Sequence, residues 1–151
     1  MHVHQNSIIL RATPQDVWSQ WVQPALWSSW DPEIQTASSD QSLRLGSTGS
    51  LTTQRGSTHA FRVVLCDPSC SFMLSYQHGI GVEINIKRSW ERVPEGVRVT
   101  QEVNLIGPMA ALAARMRKDH FVQMIDRSLQ GLKSKLEGPE VVVPQGAPSF
   151  S

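Results

Sequence analysis

Proton transfer near neutral pH is the natural work of imidazole, and the chain carries five histidines: His2, His4, His59, His78 and His120. Two of them fall on apolar faces. His59 shares its parity with Phe61, Val63 and Leu65 along an extended run, and His120 falls on the apolar stripe of a helix. Tyr76, in step with Phe72 and Leu74, adds a phenol, so His59, Tyr76 and His120 are the candidate catalytic residues. None belongs to a recognisable triad, and a histidine on a helix's apolar side is more often a hydrogen-bonded core group than a catalyst. Gly-x-Ser-x-Gly, a phosphate-cradling loop and a dinucleotide fingerprint are all missing from the sequence, and Gly79-Ile80-Gly81 reads as a hairpin turn. No metal and no cofactor are expected. Cys66 and Cys70 flank Asp67-Pro68-Ser69 and read as reduced thiols at a hairpin end, and the histidines lack metal-ligand spacing.

These side chains must be positioned by a particular order of elements. His2 to Arg11 reads as a strand, followed by a helix with Thr13 as N-cap, Pro14 at its first position and Asp16 in its first turn. Val17, Trp18, Trp21 and Val22 form one face of that helix. A second short helix carries Leu26, Trp27 and Trp30 to Asp31-Pro32, and the tryptophans read as the plug joining both helices to a sheet. Short strands follow at Glu33 to Ala37, Leu43 to Leu45, Gly49 to Gln54, His59 to Leu65, Phe72 to Gln77, Val82 to Arg92 and Val97 to Ile106.

Charge alone sets the register of the last two strands. A turn at Val93-Pro94-Glu95-Gly96 puts Glu91 opposite Arg98, Lys87 opposite Glu102, Ser89 opposite Thr100 and Asn85 opposite Asn104. The inner face then carries Val82, Ile84, Ile86, Arg88 and Trp90 against Val97, Val99, Gln101, Val103 and Leu105. Arg88 faces Gln101 in this register. A buried arginine either meets Gln101 and backbone carbonyls, reaches solvent at a cavity mouth, or binds a ligand carboxylate. After Gly107-Pro108 a helical period runs unbroken to about Glu137, with Met109, Leu112, Ala113, Met116, His120, Met124, Leu129, Leu132 and Leu136 on its apolar stripe. Arg115, Arg117, Lys118, Arg127, Lys133 and Lys135 lie mostly off the stripe, as a solvated basic face. Residues 138–151, rich in Pro, Gly and Ser, read as a flexible tail in which Val141-Val142-Val143 can pair as an edge.

The composition suits a single soluble domain over residues 1–137. A net charge of +1, 40% hydrophobic and 18% charged residues exclude a disordered or fibrous chain. No apolar run nears the ~20 residues of a membrane helix, and Met-His-Val-His does not open a secretory signal, so a cytoplasmic location is expected. Nucleic acid is not an expected partner, because the strands carry no basic stripe.

Ile8-Ile9-Leu10-Arg11-Ala12-Thr13-Pro14-Gln15-Asp16-Val17-Trp18, Trp27-Ser28-Ser29-Trp30-Asp31-Pro32-Glu33-Ile34, Leu43-Arg44-Leu45-Gly46-Ser47, Arg88-Ser89-Trp90-Glu91 and Leu132-Lys133-Ser134-Lys135-Leu136-Glu137 occur in this order. Together, over about residues 3 to 137, they resemble the START-like, Bet v 1-like superfamily, and within it the polyketide cyclase/dehydrase-like group. The resemblance implies an α+β helix-grip fold. A curved antiparallel sheet of about seven strands would wrap around a long C-terminal helix, with two short helices after the first strand. It also implies an apolar cavity between sheet and helix, a site for lipid-, sterol- or polyketide-like molecules.

The inner strand face and the helix stripe supply such a lining on physical grounds too. The expected ligand-binding residues are Phe61, Val63, Phe72, Leu74, Tyr76, Ile84, Ile86, Arg88, Trp90, Val99, Gln101, Val103, Leu112, Met116, His120 and Met124. Three functions fit this reading. One is binding of a small apolar or amphipathic molecule. Another is a cyclase or dehydratase in which Arg88 or Tyr76 polarises a carbonyl and His59 or His120 moves the proton. The third is a module that contacts a protein or membrane through its basic helix or pocket mouth.

Overall fold

Seven strands and four helical segments form the fold of the described residues in the computed structural model, which describes residues 1–68 and 70–138; the expected tail lies, except for Gly138, outside the described residues. The chain runs β1 (His2–Leu10), α1 (Pro14–Val22), a 3₁₀ helix (Pro24–Ser29), β2 (Ile34–Ser39), β3 (Thr48–Thr53), β4 (Thr58–Asp67), β5 (Ser71–Gln77), β6 (Glu83–Val93), β7 (Gly96–Ile106), α2 (Ala110–Met116) and α3 (Lys118–Glu137). The sheet is antiparallel, in the order β1-β7-β6-β5-β4-β3-β2. A meander therefore accounts for every neighbour except β1, which crosses over to pair with the last strand.

Local chemistry explains where these elements start and which way they face. The Thr13 hydroxyl accepts from the Asp16 N–H at 3.1 Å, while the Asp16 carboxylate accepts from the Thr13 N–H, a reciprocal cap that satisfies two orphan donors of α1. The β6–β7 register follows the charges: Glu91 opposes Arg98 at 2.7 Å, Lys87 opposes Glu102, and Arg88 opposes Gln101. Strict alternation buries Ile84, Ile86 and Arg88 on β6 and Val97, Val99, Gln101, Val103 and Leu105 on β7. On α3, Phe121, Met124, Ile125, Ser128, Leu129 and Leu132 turn inward at helical spacing against this face.

Two glycines permit close approaches. A Cβ at Gly49 would lie 2.4 Å from the Phe61 ring, so the glycine leaves room for that ring to cross β3. A Cβ at Gly131 would lie 1.7 Å from the Trp30 carbonyl oxygen, so α3 comes nearly into backbone contact with the segment after the 3₁₀ helix.

Three expectations are corrected. Leu43 to Leu45 is not a strand: Leu43 is buried, but its N–H is given to the Val22 carbonyl at 2.8 Å, at the end of α1, and Leu45 is exposed. The parity of β4 does not survive to Leu65, because a register shift between Val63 and Leu65 sets Leu65 opposite Met73 and turns Val64 out. Finally, the long helix is divided at Arg117, whose φ of −124° and ψ of 26° interrupt it. The two residues at the break use their charged ends on the sheet side: Lys118 Nζ donates to the Val3 carbonyl at 2.8 Å and Arg117 reaches His78. Ala110 is the residue α2 buries, and Met109, Leu112 and Met116, which lie off the inward face set by Phe121, Met124 and Ile125, are exposed.

Candidate functional site

Between the inner sheet face and α3 lies a cavity of about 290 Å³, whose lining passes from fully buried residues to exposed ones. Its closed end is apolar apart from a single polar group of residues. Leu74, Ile84 and Ile86 supply wall, and Arg88, Gln101, Tyr76 and Asp31 supply the polar atoms. β6 and β7 deliver Arg88 and Gln101 by register, and the segment after the 3₁₀ helix delivers Asp31.

Arg88 is held from four sides. Its Nε donates to Gln101 Oε1 at 3.0 Å, Nη2 lies 3.9 Å from Asp31 Oδ2, and the guanidinium carbon sits 5.3 Å from the Trp30 ring and 5.8 Å from that of Trp27. Nη1 is buried and has no hydrogen-bond partner among the described residues. Burial lowers the Arg88 pKa to about 10, against the pull of Asp31, so the group stays cationic at neutral pH. Asp31 is pushed above the usual carboxylate range by burial, with Arg88, the Glu33 N–H at 3.0 Å and the Ser128 hydroxyl at 3.3 Å opposing the shift. Burial also raises the Tyr76 phenol, which therefore keeps its proton and acts as a donor rather than a base.

The open end is a cluster of rings and guanidinium groups. His78 stands between His59 and His120, with ring centroids 6.3 Å and 6.5 Å away and planes within 28° and 18° of parallel. Arg117 Nη1 lies 2.6 Å from His78 Nε2, so the guanidinium donates to an imidazole whose Nε2 carries no proton. Burial, then the charge of Arg117, lower the His78 pKa to about 4, and the same two causes lower that of His120. His59 also touches Tyr76, with centroids 5.1 Å apart, and so connects the two ends. Arg55, Ser57 and Gly79 form the exposed rim, with Glu33 half-buried behind it. No group of three or more His, Cys, Asp or Glu side chains that could hold a metal ion exists among the described residues.

The expected residues divide into three groups. Leu74, Tyr76, Ile84, Ile86, Arg88 and Gln101 line the cavity, as do His59, His120 and Met124. Phe61, Val63, Phe72, Val99 and Val103 are buried without lining it, and Trp90 is half-buried, because the tryptophans of the short helices fill that part of the sheet's hollow. Phe61 packs on Trp27 at 5.2 Å, and Phe72 meets Trp18 edge-on at 6.2 Å. Leu112 and Met116 are exposed and do not line the cavity, since α2 turns Ala110 inward instead.

Sequence reasoning missed Asp31, His78 and Arg117. Asp31 had a signal, since a buried arginine needs a counter-charge. His78 had one as well, because it keeps the parity of Tyr76 one step beyond β5.

No protein-family model matches the chain, and no curated protein matches it in sequence. Solved structures do. XoxI from Bacillus cereus superposes with a TM-score of 0.72 at 14% identity, over 89% of this chain and 94% of its own. The di-domain ARO/CYC BexL, from the BE-7585A biosynthetic pathway, gives 0.69 at 17% identity, over 89% of this chain and 49% of BexL. Ara h 8.0201 gives 0.62 at 9% identity, over 89% and 96%. Identities this low establish the fold alone.

Proposed function

From a helix-grip fold of the START-like, Bet v 1-like kind as the premise, we propose that this protein binds a small amphipathic molecule between its sheet and α3. The observation that carries the reading is the cavity itself: apolar walls with a few fixed polar groups, closed at the Arg88 end and open at the Arg55 end. Its volume stands at the lower bound of ligand sites, about 300–1,000 Å³, which favours one ring system or one short chain over a two-chain lipid. Leu74, Ile84, Ile86 and Met124 contact the apolar body, while Arg88 offers a hydrogen-bond donor to a carbonyl or hydroxyl oxygen. Burying that donor against an acceptor removes the cost of leaving it unpaired.

The test is native mass spectrometry of the protein purified from its own cell extract, beside the same sample after denaturing extraction. A retained apolar molecule supports the reading and identifies the chemical class. An empty protein that also shows no thermal shift with fatty acids, sterols or aromatic polyketides overturns it.

The contact between His59 and Tyr76 favours a second reading, a polyketide-type cyclase or dehydratase, and the likeness to BexL points the same way. In this reading the His59 imidazole removes a proton α to a substrate carbonyl. The enolate oxygen is stabilised by the protonated Tyr76 phenol or by Arg88. The enolate carbon then attacks a second carbonyl of the same chain, and loss of hydroxide with a proton as water completes a dehydration. Turnover of a poly-β-ketone thioester mimic that disappears in His59→Gln supports the enzyme; binding without turnover in the wild type returns the protein to the carrier class.

A further inference from the structure

The two ends of the cavity are unlike in charge, and the difference selects among amphipathic ligands. At the closed end Arg88 already faces Asp31, 3.9 Å away, so that pair is close to neutral and an incoming anion would meet the carboxylate. A neutral oxygen is the acceptor that suits the free Nη1 there. At the open end the balance is different. Arg117 and Arg55 both line the mouth, both act on His78 through their charges, and neither forms an ion pair with a carboxylate among the described residues.

Arg117 is committed only to the neutral His78, which takes one of its five N–H groups and fixes the direction of the fork. Around it, His59, His78 and His120 present imidazoles and Glu33 a carboxylate, while the groove that adjoins the mouth at Arg55 and Arg117 adds Asp119 beside Arg115 and Lys118. Arg117 stands four residues before Phe121 and seven before Met124, so the inward face of α3 carries this arginine towards the cavity at the start of the helix.

We infer that the natural ligand is an amphiphile with one carboxylate, seated with its apolar body toward Arg88 and its carboxylate at the mouth on the Arg117 and Arg55 guanidinium groups. This rests on the container reading and adds the head group and the direction of entry. Arg55, Arg117, Arg115 and Lys118 against Glu33 and Asp119 leave the mouth and its adjoining groove net positive, and a ligand carboxylate there forms charge-assisted hydrogen bonds to planar, forked donors. The imidazoles pack the head group at its sides and leave the guanidinium groups to hold its charge. A neutral alcohol of the same shape fills the walls equally well and forfeits those bonds.

Calorimetric titration of the intact protein at neutral pH with matched pairs tests this: decanoic acid against decanol, and naphthoic acid against naphthylmethanol. The acid of each pair is expected to bind more tightly by about tenfold or more, and the preference to shrink as salt is raised. In the Arg55→Gln, Arg117→Gln double variant the ratio of acid to alcohol affinity falls towards one. Arg117 stands at a helix break, so Arg55→Gln alone, on an exposed loop, serves as a second variant and reduces the ratio without touching that break. Equal binding of acid and alcohol by the wild type overturns the head-group assignment and leaves the container standing. An undiminished preference in both variants overturns the role of the two arginines. Binding of neither class overturns the container itself.

Discussion

At the scale of single residues, the site turns on charges taken out of water. Arg88 and Asp31 are both almost wholly buried, and each makes the other's burial tolerable. Arg88→Met strands the Asp31 carboxylate and is expected to cost about 3–5 kcal/mol in urea unfolding at neutral pH. Adding Asp31→Asn removes the stranded charge and returns more than half of that loss; simple additivity in this double-mutant cycle would show that the two groups are not coupled. His78 provides a second prediction, this time in pH. Its folded pKa lies near 4 and its ordinary value is 6.5, so between those values the unfolded chain holds the extra proton and the folded chain does not. The contribution is complete above pH 6.5 and is lost as pH falls towards 4. Screening at this half-buried position reduces it to the order of 1 kcal/mol. Asp31, with its raised pKa, slopes the other way, so the measurement is the difference in melting temperature between wild type and His78→Gln across this range. That difference should change steadily with pH; a constant offset would mean that His78 is not held neutral.

At the scale of elements, one backbone approach governs how α3 lies on the rest. On an isolated helix Gly→Ala gains roughly 1 kcal/mol. At Gly131 the sign reverses, because the added methyl group meets the Trp30 carbonyl oxygen at 1.7 Å. Gly131→Ala is expected to destabilise by about 2–3 kcal/mol, read as a lowered urea midpoint with an unchanged slope. Most strands and α1 were legible because a half-buried strand alternates and a capped helix announces its start: β6 and β7 were placed residue by residue from Lys87, Glu91, Arg98 and Glu102. The elements misread share a cause. Nothing in the local sequence marks the shift after Val63 or the break at Arg117, where neither Gly nor Pro stands; the first lies in the pairing with β5, and the second goes with contacts to His78 and Val3, far away along the chain. Arg117 was assigned to a solvated face on its charge, although it stands four residues before Phe121 and seven before Met124, on the inward side of α3.

At the scale of the whole molecule, the sheet and the helices share one hydrophobic core, so an occupant that binds only the folded state stabilises what that core holds together. At a hundred times its Kd a ligand adds about 2.7 kcal/mol, a rise in melting temperature of roughly 5–10 °C for a domain of this size. A series of short-chain acids should produce that rise in the wild type, and Ile86→Trp, which fills the wall position, should abolish it; a full shift in this variant would place the binding elsewhere. The candidate site was half legible in the sequence. Parity gave the residues that strands present, such as Tyr76, Ile84, Arg88 and Gln101. It was silent on Asp31, which depends on how a loop folds back onto the sheet. The crossover of β1 bears on synthesis as well as on architecture. Leu10 pairs with Val97, about ninety residues later, so while the ribosome works at its usual pace β1 has no partner for roughly 5–20 s. Throughout that interval β2 to β6 can zip in the order they emerge, with the apolar face meant for α3 open to other nascent chains. The protein's most vulnerable moment is thus set by translation speed, and slowing the ribosome beyond Arg92 should increase its dependence on chaperones.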